Sequence, residues 1–140
     1  MKKSFTLIEI LVVATIVVLL TATATATYTT FLKQSRDAKR KADLEQIRAA
    51  LEMYRSNNDS YPLGTDSLTT PVTYIKSIPT DPKDNGVYPY TSSPVDCTGS
   101  STAPSCNDYS ITADLEIGGT YTVGPYGVYP TLAPTPTPTP

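Results

Sequence analysis

The chain has 140 residues, a formal net charge of −2, two cysteines and no histidine. That length holds one modest domain plus a membrane-type segment. Without histidine there is no Ser-His-Asp or Cys-His arrangement, and two cysteines alone fall short of the four ligands of a structural zinc site. The charge is unevenly spread: Lys33, Arg36, Lys39, Arg40 and Lys41 face only Asp37, whereas eight acids after Asn57 face only Lys76 and Lys83. The acidic C-terminal part disfavours nucleic-acid binding through that surface.

The chain opens with a basic leader, Met1-Lys2-Lys3-Ser4, followed by Phe5-Thr6-Leu7-Ile8-Glu9 and an apolar run from Leu7 to Leu20. Glu9 lies inside that run, where an ionised side chain costs roughly 2.5–3.5 kcal/mol on insertion scales. Such a residue usually marks a function and a partner. A cut between Ser4 and Phe5 would create an α-amino group with a reference pKa of about 8, a cation for Glu9 of a neighbouring copy to meet.

This pattern, from Lys2 to about Leu20, resembles the type IV pilin family, including the pseudopilins of type II secretion. The resemblance implies that a prepilin peptidase cuts after Ser4 and methylates Phe5, and that Glu9 serves filament assembly. Ser4 departs from the glycine usual in the family at that position. An ordinary secretory signal peptide is the rival, with Ala22-Thr23-Ala24 or Ala24-Thr25-Ala26 as its A-x-A site. A plain single-span anchor is a further alternative. Both leave Glu9 without a use.

No proline precedes Pro62 and no glycine precedes Gly64, so a single helix is expected from Phe5 to about Ser56. At about 1.5 Å per residue it would reach roughly 78 Å, more than a head of this size can bury. Extended through the small residues to Ala26, its apolar part attains the roughly 20 residues of a bilayer span. The Thr21–Thr27 alternation of threonine and alanine is its least secure stretch. Pilins of the family commonly carry a proline near here and this chain has none. A continuous helix with back-bonded threonine hydroxyls is the expectation, and a local melt on assembly the alternative. Beyond it, Leu44, Ile47, Leu51 and Tyr54 share one face, while the basic run from Lys33 to Lys41 reads by default as a solvated face, with anionic lipid headgroups or acidic neighbours as the alternative contacts.

Ser56-Asn57-Asn58-Asp59-Ser60 and Tyr61-Pro62 form a helix stop and exit loop. Ile47 to Pro62 and Tyr74 to Pro82 resemble the pseudopilin helix end and the lead into its sheet, drawing the likeness out to about Glu116. Strands are expected at Val87–Thr91, Tyr109–Glu116 and Thr120–Val123. Gly118-Gly119 would turn a hairpin, with Leu115 and Ile117 facing Tyr121 and Val123. Such a sheet needs the Leu44/Ile47/Leu51/Tyr54 face as cover. Cys97 and Cys106 suggest one disulfide in an exported domain, with two free thiols as the alternative. The Pro-Thr tail reads as an extended arm.

The expected architecture is therefore α+β: a long N-terminal helix, hydrophobic then amphipathic, packed against a small antiparallel sheet head. Its divisions are a cleaved leader (1–4), a hydrophobic membrane and filament-core helix (5–30), an amphipathic helix (31–56), an acidic β head (57–129) and the tail (130–140). No catalytic constellation or phosphate-binding loop is present. Major pseudopilins bind calcium in a late loop, but the acidic loop such a site would need after the last strand is missing. Turn chemistry accounts better for the carboxylates, and strand and surface positions for the ten tyrosines. The resemblance implies a homo-oligomeric filament subunit, held in the inner membrane as a precursor and then carried outward. Its partners would be the prepilin peptidase, the membrane and a pilus or secretion assembly machinery. A secreted or anchored binding domain is the competing function.

Overall fold

The computed structural model describes residues 6–98 and 104–129, with backbone alone for 23–26. Helix α1 covers Leu7–Asn58, as the absence of proline and glycine there requires. A short 3-10 turn, Thr65–Leu68, follows. The four strands are β1 (Tyr90–Ser93), β2 (Asp108–Asp114), β3 (Thr120–Gly124) and β4 (Gly127–Tyr129). The chain divides into two compact units, one ending at Ser35 and the other beginning at Arg36.

In the first unit the helix from Leu7 to Leu20 is apolar on every side, Glu9 and Thr15 apart. Ile8, Leu11, Val13, Ile16, Val18 and Leu20 are all exposed, although they point to every side of the cylinder. A helix of this kind is stable only with lipid or other protein around it. Thr15 donates its hydroxyl to the Val12 carbonyl at 2.8 Å, and Thr21 donates to those of Val17 and Val18 at 2.9 and 3.0 Å. This back-bonding hides the hydroxyls inside the helix, as expected at Thr21; the side chains of Thr23 and Thr25 lie outside those described. Taken separately on either side of residues 23–26, neither Leu7–Ala22 nor Thr27–Asn58 is long and apolar enough to cross a membrane. The two stretches together meet that measure.

The second unit is built on the other half of α1. Leu44, Ile47, Ala50 and Leu51 are buried, and half-buried Tyr54 packs beside them. Above them lies a four-stranded antiparallel sheet in the order β1-β2-β3-β4. Burial alternates along β2, with Tyr109, Ile111 and Ala113 facing the helix. The helix closes at Asp59, whose backbone takes φ 58° and whose N–H donates to the Arg55 carbonyl at 2.8 Å. A left-handed residue at this place is an ordinary helix stop.

Several expectations need correcting. The hairpin register places Ala113 opposite Tyr121 and Ile111 opposite Val123. Leu115 and Ile117 belong to the turn, not the ladder. The turn is wider than a two-residue loop: Gly118 and Gly119 take φ +104° and +83°, and Leu115 N–H donates to the Gly119 carbonyl at 2.7 Å. A fourth strand, β4, was not foreseen, because it is only three residues long and begins at Gly127 (φ +117°). Val87 pairs with Thr80 in an isolated bridge and lies outside β1.

Tyr90, Tyr109, Tyr121 and Tyr129 stand on strands and Tyr28 and Tyr126 on the surface, as expected, but burial goes further than that reading. Tyr61, Tyr88 and Tyr109 are core residues, with Tyr61 and Tyr109 packed edge to face at 4.6 Å between centroids. Tyr61 donates its hydroxyl to Glu52 and accepts a bond from Arg55 at 3.0 Å, while Tyr90 donates to the Pro62 carbonyl at 2.6 Å. Burial first, and then the neighbouring Glu52 carboxylate, push the phenol of Tyr109 above its usual range. These rings supply large apolar area and still satisfy their polar ends.

Candidate functional site

Ser4 and Phe5 lie outside the described residues. The first described turn, however, fixes Glu9. Its carboxylate accepts the Thr6 backbone N–H at 3.0 Å and the Thr6 hydroxyl at 2.9 Å, while the Thr6 carbonyl accepts the Glu9 N–H at 3.1 Å. Thr6-Leu7-Ile8-Glu9 thus closes half of a capping box, in which a glutamate three residues on satisfies the N–H at the helix start. The sequence carried this T-x-x-E signal, and the reading of Glu9 as a pairing charge passed over it. A local partner lets a carboxylate sit at an apolar helix terminus and also suits the positive end of the helix dipole.

A second cluster of charges ties the helix to the sheet turn. Arg40 is only 3% exposed. It grips Asp81 in a fork, with Nε to Oδ2 at 2.5 Å and Nη2 to Oδ1 at 3.0 Å, and donates Nη1 to Asp37 at 2.8 Å. Arg36 makes a second fork on Glu116, at 2.5 and 2.8 Å. Asp37 also accepts the backbone N–H groups of Glu116 and Ile117, both at 2.8 Å. Asp43 accepts the Tyr88 hydroxyl at 3.0 Å and the Lys39 ammonium at 3.2 Å. The solvated basic face holds for the lysines, whereas the two arginines meet acidic neighbours instead. Arg40 is buried and Arg36 is partly covered, whereas Lys33, Lys39 and Lys41 stay exposed.

The electrostatics follow from these contacts. The Arg40 fork holds the Asp81 carboxyl below its ordinary range against the opposing effect of burial. For Asp37, burial works towards protonation, but the two backbone N–H groups and Arg40 outweigh it and lower its pKa. Bonding to Arg36 lowers Glu116 to about 2. Asp81 in turn raises the guanidinium of Arg40 above its usual value. Among the described residues no buried polar side-chain atom lacks a partner. A cleft of about 450 Å³ beside the cluster is lined by Arg40, Asp81, Lys83, Tyr88, Asp114 and Glu116. It contains carboxylates, cations and a phenol, but no thiol or imidazole.

Cys97 and Cys106 form a disulfide with Cα atoms 5.0 Å apart, and Cys106 is wholly buried. The bridge anchors the segment between β1 and β2, where the Cys106 carbonyl also accepts the Tyr61 N–H at 2.8 Å. Among the described residues no group of three or more Cys, Asp or Glu side chains is placed to hold a metal ion. Asp84, one of the head carboxylates, accepts the Gly86 N–H at 2.8 Å in a local turn.

A long helix with a bare apolar first half and a small disulfide-bonded antiparallel sheet on its second half defines a pilin-like α+β subunit. The chain is 31% identical over 136 residues to the type II secretion system core protein G of Pseudomonas aeruginosa, covering 84% of this chain and 88% of that protein. It belongs to the type IV pilin and type II secretion pseudopilin family. No family model matches the chain, and no solved structure matches it.

Proposed function

We propose that this chain is a non-enzymatic structural subunit of a type II secretion-like pseudopilus or a related type IV filament. The observation that carries this reading is the relation to core protein G. It covers 84% of the chain and so extends well past the helix into the sheet. The apolar helix exposed on every side supports it, because such a surface needs lipid before assembly and neighbouring helices after it.

In this reading the precursor sits in the inner membrane, and the prepilin peptidase cuts between Ser4 and Phe5 and methylates the new amine. The assembly machinery then draws the subunit into a homo-oligomeric filament outside the membrane. The capping box sets where Glu9 stands at the helix start, and the amine of Phe5 on an adjacent copy is its second partner. A pair of this kind fixes axial register, because a copy out of step leaves both charges unpaired in an apolar setting.

Intact-mass measurement of the exported protein tests the proposal. The expected product starts at Phe5 and carries one added methyl group. A product starting at Thr25 or Thr27 would overturn the filament reading in favour of a released domain.

A further inference from the structure

The outer face of the sheet, away from α1, is unusually uniform. The ladder pairs Ser93 with Asp108, Thr91 with Ser110, Thr112 with Thr122, and Asp114 with Thr120. Those paired positions carry hydroxyls and carboxylates and no cation. Solvation alone would account for a polar face on an antiparallel sheet, but Tyr129 departs from that pattern. It stands on β4, and its hydroxyl donates to Asp108 Oδ1 on β2 at 3.3 Å. To reach it the ring crosses β3 at Gly124, where a Cβ would collide with the Tyr129 ring and the Tyr109 carbonyl oxygen. Gly124 is buried beneath it. The ring is thus seated on the sheet by a glycine below and a carboxylate at its tip.

Tyr129 forms one wall of a groove of about 330 Å³, with Thr91, Ser93, Val95, Asp108 and Ser110 among the other lining residues. Asp108 Oδ1 accepts both the Tyr129 hydroxyl and the Tyr109 N–H at 2.7 Å. Among the described residues Oδ2 accepts no such bond, so it is available to a ligand hydroxyl. The geometry points to a binding site for a neutral saccharide, with the Tyr129 ring packing a sugar C–H face and Asp108 and the hydroxyls bonding its equatorial groups. The volume falls at the small end of the roughly 300–1,000 Å³ typical of ligand sites, room for one or two sugar rings. Asp108, with no cation among the lining residues, disfavours acidic sugars. The inference does not depend on filament assembly.

Saturation-transfer NMR on the full chain in phosphocholine micelles, a detergent without sugar, tests it with cellobiose, maltose and glucuronic acid as probes. We expect transfer to at least one neutral disaccharide and weaker transfer to glucuronic acid. Tyr129→Leu should reduce the neutral signal about tenfold, the scale of one lost aromatic contact. Asp108→Asn keeps the side-chain shape and should weaken binding about threefold or more, because bonds to a charged acceptor are the stronger ones. It decides the matter if Tyr129→Leu loses the native disulfide or far-UV spectrum. The inference is overturned if the folded wild type shows no transfer to either disaccharide, if the folded variants bind as well as wild type, or if glucuronic acid binds equally.

Discussion

Replacing Arg40 with methionine keeps much of the side-chain volume and removes the charge from the most buried cation in the head. Asp81, half-buried at the edge of the cleft, would lose a two-point grip, and buried Asp37 would lose one bond. Removing one partner of a buried ion pair typically costs about 3–5 kcal/mol. The lower half applies here, because Asp81 keeps the Lys83 N–H and Asp37 keeps the N–H groups of Glu116 and Ile117. Against a typical domain stability of roughly 5–15 kcal/mol, a loss of about 3–4 kcal/mol is severe. For a head of this size it corresponds to a fall in Tm of about 12–30 °C. Thermal unfolding of the full chain in detergent, followed by circular dichroism, reads this directly. Lys41→Met is the control: Lys41 is exposed, with its ammonium 5.5 Å from the Tyr121 ring centroid, and its loss should cost no more than about 1 kcal/mol. Equal shifts for the two variants would refute the argument that Arg40 is a structural pin.

The pinned carboxylates Asp37, Asp81 and Glu116 all have lowered pKa values. Their contribution is present above the unfolded carboxylate range near pH 4 and is lost as pH falls through the folded values. Acid titration of Tm should therefore drop more steeply in wild type than in Arg40→Met. Gly124→Ala should destabilise by about 1–3 kcal/mol by forcing Tyr129 and the β2 backbone apart, measured by urea denaturation. Cys97→Ser with Cys106→Ser should cost about 2–3 kcal/mol for a loop with a sequence separation of 9, read in the same assay. Glu9→Val should insert in the membrane and be cut after Ser4 but fail to enter filaments, scored by shearing and immunoblotting. Glu9→Gln separates the two roles of that side chain. It can still reach back to Thr6, so normal filaments from Glu9→Gln would reduce Glu9 to a helix cap.

The apolar stripe was legible because Leu44, Ile47 and Leu51 repeat at helical spacing. The same stripe continues backwards through Arg40 and Asp37, three and four residues apart, so their burial was legible in position though not in chemistry. Charge hid it: a guanidinium on the core face reads as solvated until its partners are known. Those partners, Asp81 and Glu116, lie 41 and 76 residues away in sequence from Arg40, and no local pattern links them. The glycine pair announced a turn, but not its register, and the contact of Asp37 with the Glu116 and Ile117 amides is a long-range one that no local pattern shows. Tyr61 and Tyr88, buried off the strands, were misplaced for a similar reason. Their burial depends on acceptors such as Glu52 and Asp43 that only the folded helix presents. In Thr6 and Glu9 the local signal was complete, and a more dramatic role for the glutamate obscured it.

The boundary between the two units falls at Ser35 and Arg36, and the fastening of the head begins at that same residue. Within the second unit, Arg36, Asp37 and Arg40 fasten the helix to the sheet turn ahead of Leu44 in the chain. An apolar contact would let a helix creep past its sheet in small steps, since one methyl group replaces another at little cost. Two guanidinium forks and a carboxylate on two amides permit no such creep. One residue out of step, none of these directional bonds has a partner, so the joint behaves as a latch that holds fully or releases.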